Sequence, residues 1–265
     1  MDRMRSLALR GALMWLTLIP SLSAAGMDEQ HILAELQARN RLRSDALLEY
    51  IVNRTYQIAD LTGKVHAKEK GRMEFRAPDQ KTFTVTSEEG SGLVRRLALT
   101  PLIASEIQAA SGKDHHDSAI TPANYTLELI GEEDVGAYHC YVLHAAPKRP
   151  DKYLFAGKVW IDAQDYAVVR IEGHPAANLS FWIKRADFVR EYQKVDGFWL
   201  PRKDTTVVQV RLYGKKVLTI DHRDYAVKGK PASNKTGALA GPFLCSHEDS
   251  CSELGLQPPK DLPLR

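Results

Sequence analysis

The chain has 265 residues, 44% hydrophobic and 26% charged, which is the composition of a folded globule and excludes disordered and collagen-like classes. Its formal net charge of +3 is too small to point to nucleic acid or to an anionic membrane as the partner. The length suits one large domain or two small ones.

The first 25 residues have the three-part layout of a secretory signal peptide. Arg3, Arg5 and Arg10 form the basic region, residues 11–22 the apolar run, and Ser23, Ala24 and Ala25 the small residues of a cleavage site. The run is shorter than the ~20 apolar residues that span a bilayer, so a removed signal is expected rather than an anchor. No cysteine stands directly after the cleavage region to take a lipid and no later run could span a membrane, so the mature protein is expected to be soluble, periplasmic or secreted.

Residues 27–43 predict a helix, with Ile32, Leu33, Leu36 and Leu42 near helical spacing and a short second turn over residues 44–48. Residues 49–59 turn strand-like. Residues 64–76 and 81–86 predict an antiparallel pair around Pro78 and Asp79. Residues 91–110 break the β pattern and predict two helical pieces, with Thr100 as N-cap and Pro101 at the first helical position. Asp114, His115, His116 and Asp117 lie in a polar connection without metal-ligand spacing. Residues 125–130 and 137–145 predict a hairpin around Gly131, Glu132, Glu133 and Asp134.

Residues 153–225 read as five or six strands in succession, with turns at residues 162–165 and 195–197. Beyond them the chain is rich in Gly, Pro and Ser and reads as loop. The expected organisation is a signal at 1–25, a domain at 26–228 and a loop-rich tail at 229–265. In an oxidising compartment Cys245 and Cys251 of that tail are expected to form a disulfide. His247 between them would need more metal ligands than the segment offers. Cys140, in an apolar run, is expected to be a buried thiol.

No phosphate loop, G-x-S-x-G elbow, H-E-x-x-H or dinucleotide fingerprint is present in the sequence, so no catalytic residue, metal site or cofactor is assigned. On one strand His222 would share a face with Asp224 and not with Asp221, which reads as a surface contact. Apolar alternation instead marks an inner sheet face: Val169 and Ile171 with Ala167, then Phe181 and Ile183 with Leu179. It continues through Val208, Val210 and Leu212 with Thr206, then Leu218 and Ile220. Such a face needs a cover, and residues 27–43 and 91–110 are the available helices. Leu97, Leu102, Ile103 and Ile107 of the second helix, with the inner-face residues, line either a dry core or a ligand cavity.

The stretch GKVWIDAQDYAVVRIEG at residues 157–173, followed by DGFWLPRKDT at 196–205, resembles the periplasmic LolA/LolB-like lipoprotein-sorting superfamily. The resemblance covers residues 27–227. It implies a mainly β (α+β) fold, an unclosed antiparallel β-barrel wrapped over a few helices. It also implies a cavity for the acyl chains of lipids or lipoproteins, no catalysis, no metal and no cofactor. Arg54, Arg72 and Arg76 are each candidates for the superfamily's ligand-gating arginine. The function so implied is an exported lipid or lipoprotein carrier. An envelope sensor with a membrane-protein partner is the alternative, and a hydrolase using His222 or His174 is a third reading.

Overall fold

The structure is a computed structural model in which residues 29–110, 118–179 and 181–230 are described. The expected signal peptide, the loop with His115 and His116, the Cys245–Cys251 disulfide and the tail lie outside the described residues.

Among the described residues ten strands form one antiparallel sheet. In chain order they are β1 (Leu47–Asp60), β2 (Val65–Arg76), β3 (Gln80–Gly90), β4 (Tyr125–Val135), β5 (Tyr138–Pro147), β6 (Phe155–Asp162), β7 (Val168–Pro175), β8 (Ile183–Val195), β9 (Phe198–Val210) and β10 (Gly214–Gly229). Their spatial order is β3-β2-β1-β10-β9-β8-β7-β6-β5-β4, so among the described residues β3 and β4 are unpaired edges and the barrel is not closed. An open edge invites foreign pairing. On β4 it is blunted by Glu132, Glu133 and Asp134 and by a register shift between Leu129 and Gly131.

Helix α1 (Glu29–Ala46) buries Ile32, Leu33 and Leu36, spaced on one face. Leu42, expected on that face, is exposed, because six residues turn it away from Leu36. The expected second helical turn is absorbed, with α1 running to Ala46 and β1 starting at Leu47. Arg43 ties the helix end to the β6–β7 turn, donating to the carbonyls of Asp165 (3.0 Å) and Tyr166 (2.9 Å). In that turn the Asp162 carboxylate accepts from the Gln164 and Asp165 amides at 3.2 and 2.7 Å. This is an Asx-type stop, for which an aspartate is suited. The β8–β9 turn needs positive φ at both Asp196 (48°) and Gly197 (84°), the primed geometry that an Asp-Gly pair favours.

The β4–β5 hairpin departs from expectation. Residues 131–134 are strand, and the chain reverses between Val135 and Tyr138, with Gly136 at φ 63°. Gly131 marks the irregularity in β4 rather than the turn, because its φ of 152° suits an achiral residue inside a strand.

The segment between β3 and β4 is helical in three joined pieces: α2 (Gly92–Val94), a π-turn (Arg95–Leu99) and α3 (Thr100–Ala110). Ser91 caps the first piece, its hydroxyl accepting from the Val94 amide. Thr100 is not a cap; it has helical φ −56° and ψ −51°, and its amide bonds the Arg95 carbonyl. Pro101 has no N–H to give and would crowd a regular turn, so the chain widens into a π-turn ahead of it instead of breaking.

Both covers lie on the same sheet face. Phe188, Thr206, Leu218 and Ile58 are register partners across β8, β9, β10 and β1, so they share a face. Phe188 packs with the α1 cluster, which includes Ile32, Leu36, Leu143, Val159 and Ile161. Leu218 and Ile58 pack with the α3 cluster. The opposite face holds a smaller cluster of Cys140, Val142, Trp160 and Val169. Cys140 is buried and free.

Candidate functional site

The site is built where α3 and the π-turn before it pack on β1, β2, β3 and β10. Leu99 and Ile103 are buried there with Tyr56, Ala67 and Ile220, and Leu102, Ile107, Ile58, Phe83 and Leu218 pack around them. Phe83 meets Tyr56 edge-on at 5.5 Å. Of the residues expected to line one cavity, Leu102, Ile103, Ile107, Leu218 and Ile220 come together here. They are in direct contact, helix against sheet.

The others are placed elsewhere. Ile171 packs under α1. Val169 faces the other side: the β6–β7 register shifts between Trp160 and Ile161, which turns Val169 outward beside Trp160, so Ala167, Val169 and Ile171 do not share a face. Ile183, Val208 and Val210 are half-buried near one rim. Leu97 and Phe181 are exposed, and Leu212 lies beyond the end of β9 in the β9–β10 turn, where strand alternation no longer applies. A cleft of about 400 Å³ opens between β9 and β10 where their pairing stops at Asp221 opposite Lys203. Arg202, Lys203, Asp221 and Arg223 wall it, so it is a charged cleft, not the expected apolar one.

A charged latch closes the apolar contact, and sequence reasoning found only one of its members. Arg54, only 3% exposed, projects from β1 toward α3. Its Nη1 meets Glu106 Oε1 at 2.5 Å and the Tyr56 hydroxyl at 3.1 Å. Lys81 of β3 donates to the same Glu106 oxygen at 3.3 Å, and the Tyr56 hydroxyl donates to Oε2 at 3.3 Å. Arg72 and Arg76, the other two gating candidates, pair with Glu74 and Glu49 near the surface. Burial alone would raise the Glu106 carboxyl, but Arg54 and Lys81 outweigh it and hold the group at about 2. Burial disfavours charge on Arg54 too, yet Glu106 keeps it firmly protonated. Burial lowers Lys81 against the pull of Glu106. Among the described residues the buried Arg54 Nε has no hydrogen-bond partner.

Next to the latch on the same face lies a second polar group. His222 is 4% exposed, and its Nε2 is 3.1 Å from Asp204 Oδ2. Asp204 also accepts from Arg190 of β8. The expectation of a surface contact with Asp224 is thus corrected: Asp224 has φ 56° at an irregularity in β10 and accepts from Asn53 instead. A neighbouring strand, not the same one, supplies the partner. Burial lowers the His222 pKa, Asp204 opposes this, and Arg54 adds to it. A histidine lowered on folding binds fewer protons in the native than in the unfolded chain. Stability is then full above the ordinary value of 6.5 and falls as pH drops below it. His222→Gln is expected to flatten that fall. Urea unfolding at neutral and mildly acid pH measures it; an unchanged slope would remove His222 from the account.

Among the described residues no cluster of His, Cys, Asp and Glu could hold a metal ion. The arrangement offers an apolar floor, a helix that covers it and a charged lock at one end. The signal for Glu106 was present in the sequence as an acidic residue within the apolar helix, but nothing local named its partner.

A protein-family model described as "-like: Uncharacterized protein" matches residues 108–228. A search of curated proteins finds no match. Among solved structures the chain is similar to a DUF1329 family protein from Desulfovibrio piger, at 15% identity over 74% of this chain and 92% of that one, with a TM-score of 0.39. It is similar to a putative outer membrane lipoprotein-sorting protein domain from Vibrio parahaemolyticus, at 12% identity over 78% and 93%, with a TM-score of 0.41. A LolA superfamily protein from Nitrosomonas europaea is similar at 11% identity over 78% and 96%, with a TM-score of 0.35.

Proposed function

We propose that the protein is an exported carrier that holds an acyl chain of a lipid or lipoprotein between α3 and the sheet, with α3 moving aside to admit it. The observation that carries this reading is the pairing of an apolar floor with a helical cover held by a charged latch. Tyr56, Ile58, Leu218 and Ile220 form the floor, and α3 lies on it as an insertion between the two edge strands. In this closed form helix and floor touch, so the ligand enters between them, with Leu102, Ile103 and Ile107 lifted off the floor and packed on the outer side of the acyl chain.

Magnitudes allow the exchange. Burying about six methylenes yields roughly 5 kcal/mol at about 0.8 kcal/mol each. Leaving one partner of a buried ion pair uncompensated costs about 3–5 kcal/mol, an upper bound for a latch whose two partners both reach water on opening. A medium-length acyl chain can therefore offset an opened latch. The reading assigns no catalytic role to His222 or His174.

The test is lipid extraction of the protein purified without detergent, followed by mass spectrometry. Bound lipid is expected in the wild type. The pair Leu102→Ser and Ile107→Ser, both only partly buried, is expected to lower the recovered lipid about tenfold or more. The unfolding midpoint should stay near that of the wild type. Protein that yields no lipid and takes up no fatty-acid probe would refute the carrier reading.

A further inference from the structure

We propose that the rim formed by the β1–β2, β7–β8 and β9–β10 connections is a docking surface for an anionic lipid bilayer. The three connections lie at one end of the sheet. Asp60 at the end of β1 faces Lys216 at the start of β10, and Ile183 at the start of β8 faces Val210 at the end of β9.

The backbone there is tied down. The Arg211 amide donates to the Trp182 carbonyl at 2.9 Å, and Arg211 Nε donates to the Phe181 carbonyl at 2.7 Å. The same guanidinium lies 4.6 Å from the Phe181 ring centre, and Phe181 meets Trp182 edge-on at 5.5 Å. Yet the side chains point outward: Phe181 is 72% exposed, Trp182 55%, Leu212 91%, Tyr213 72% and Leu61 62%. Leu212 is held at φ 69°, a left-handed conformation that Gly, Asn or Asp adopts more easily. The fold therefore gains nothing from leucine at this position. A strained, fully exposed apolar tip points to a use outside the fold.

The charges around these tips choose the occupant. Arg185 and Asp187 pair with each other at 2.6 Å, and Asp60, which accepts from Thr62 at 2.6 Å, keeps one negative charge at the rim. Against that carboxylate stand Lys64, Lys184, Arg211, Lys215 and Lys216, a collar of cations on the three connections and the strand ends beside them, Lys216 with its Nζ 3.4 Å from His66 Nε2. Trp and Tyr with Lys and Arg is the combination that seats at a membrane–water interface, rings at the headgroup level and cations on anionic lipid. Each cation near such a surface is worth about fivefold in partitioning. The same collar repels a second copy presenting the same rim, and the tips project from separate turns instead of forming a groove for a peptide. The net charge of the whole chain hides this local excess. Docking does not rest on acyl-chain carriage, since a protein whose α3 never opens keeps the rim intact.

The experiment is flotation of the protein, in the form that accumulates in cells, with phosphatidylcholine vesicles with or without phosphatidylglycerol. Wild type is expected to float with the anionic vesicles and to leave them as salt rises. The emission of Trp182 should shift to the blue on binding. Phe181→Ser with Leu212→Asn is expected to lower the bound fraction about tenfold or more. Lys215→Ala should lower it about fivefold. Asparagine suits the Leu212 backbone, so the unfolding midpoint of the double variant should hold, which separates lost docking from a lost fold. The proposal is overturned if wild type ignores anionic vesicles, if the double variant floats as well as wild type, or if the rim proves to join two copies in solution.

Discussion

Glu106→Ala is expected to release α3 from the sheet. The substitution leaves Arg54, 3% exposed, and the nearby Lys81 without their carboxylate. Removing one partner of a buried pair costs about 3–5 kcal/mol. Glu106 itself is 30% exposed, which lets water reach the cluster and places the cost near the lower end of that range. The cheapest relief is for α3 to lift and hydrate Arg54, so the loss should appear as local opening before global unfolding. Amide exchange in α3 should accelerate on the order of a hundredfold, while β1 and β10 change far less. Replacing both partners, Arg54→Met with Glu106→Leu, should restore most of the protection, because an apolar pair needs no counter-ion. If the exchange of α3 is unmoved by Glu106→Ala, the latch is not what holds the helix.

Acid should do the same thing reversibly. Glu106 is held at about 2 against an ordinary 4.5, so the latch contributes fully above 4.5 and is lost as pH falls toward 2. That window lies below the one set by His222, and the two variants separate them.

Leu36→Ala is the second large expectation. Leu36 is fully buried in the cluster where α1 meets β4, β5, β6 and β7. Truncating such a leucine costs about 2–5 kcal/mol, transfer and cavity terms together. The melting temperature should fall by roughly 5–15 °C for a domain of this size. The effect should be global, since α1 joins the chain directly to β1 and its last turn is fixed to the β6–β7 turn by Arg43. The contrast with Glu106→Ala lies in where the loss falls. Leu36→Ala should leave the relative exchange of α3 and its floor, and any acyl-chain binding there, nearly unchanged. Loss of binding with an intact α3 would show that the two covers act as one.

By itself the sequence determined what is local. Period-two alternation marked most of the strands, Asp-Gly and Asp-Ala-Gln-Asp marked two turns, and the residues around Trp160 and Trp199 carried a resemblance whose unclosed barrel matches the sheet observed. It also singled out Leu102, Ile103, Ile107, Leu218 and Ile220, since apolar residues at regular spacing must be covered by something. Only the tertiary structure decided the rest, because pairing joins residues far apart in the chain. A one-residue shift opposite Trp160 sends Val169 to the other face, and alternation cannot foresee a bulge. Arg54 was one of three equal arginines until the chain brought Glu106 to it across 52 residues. His222 found its aspartate 18 residues away on the next strand, not two away on its own. Burial made both contacts matter, for a charge removed from water must be paired, and which partner arrives is set by strand register and not by sequence neighbours.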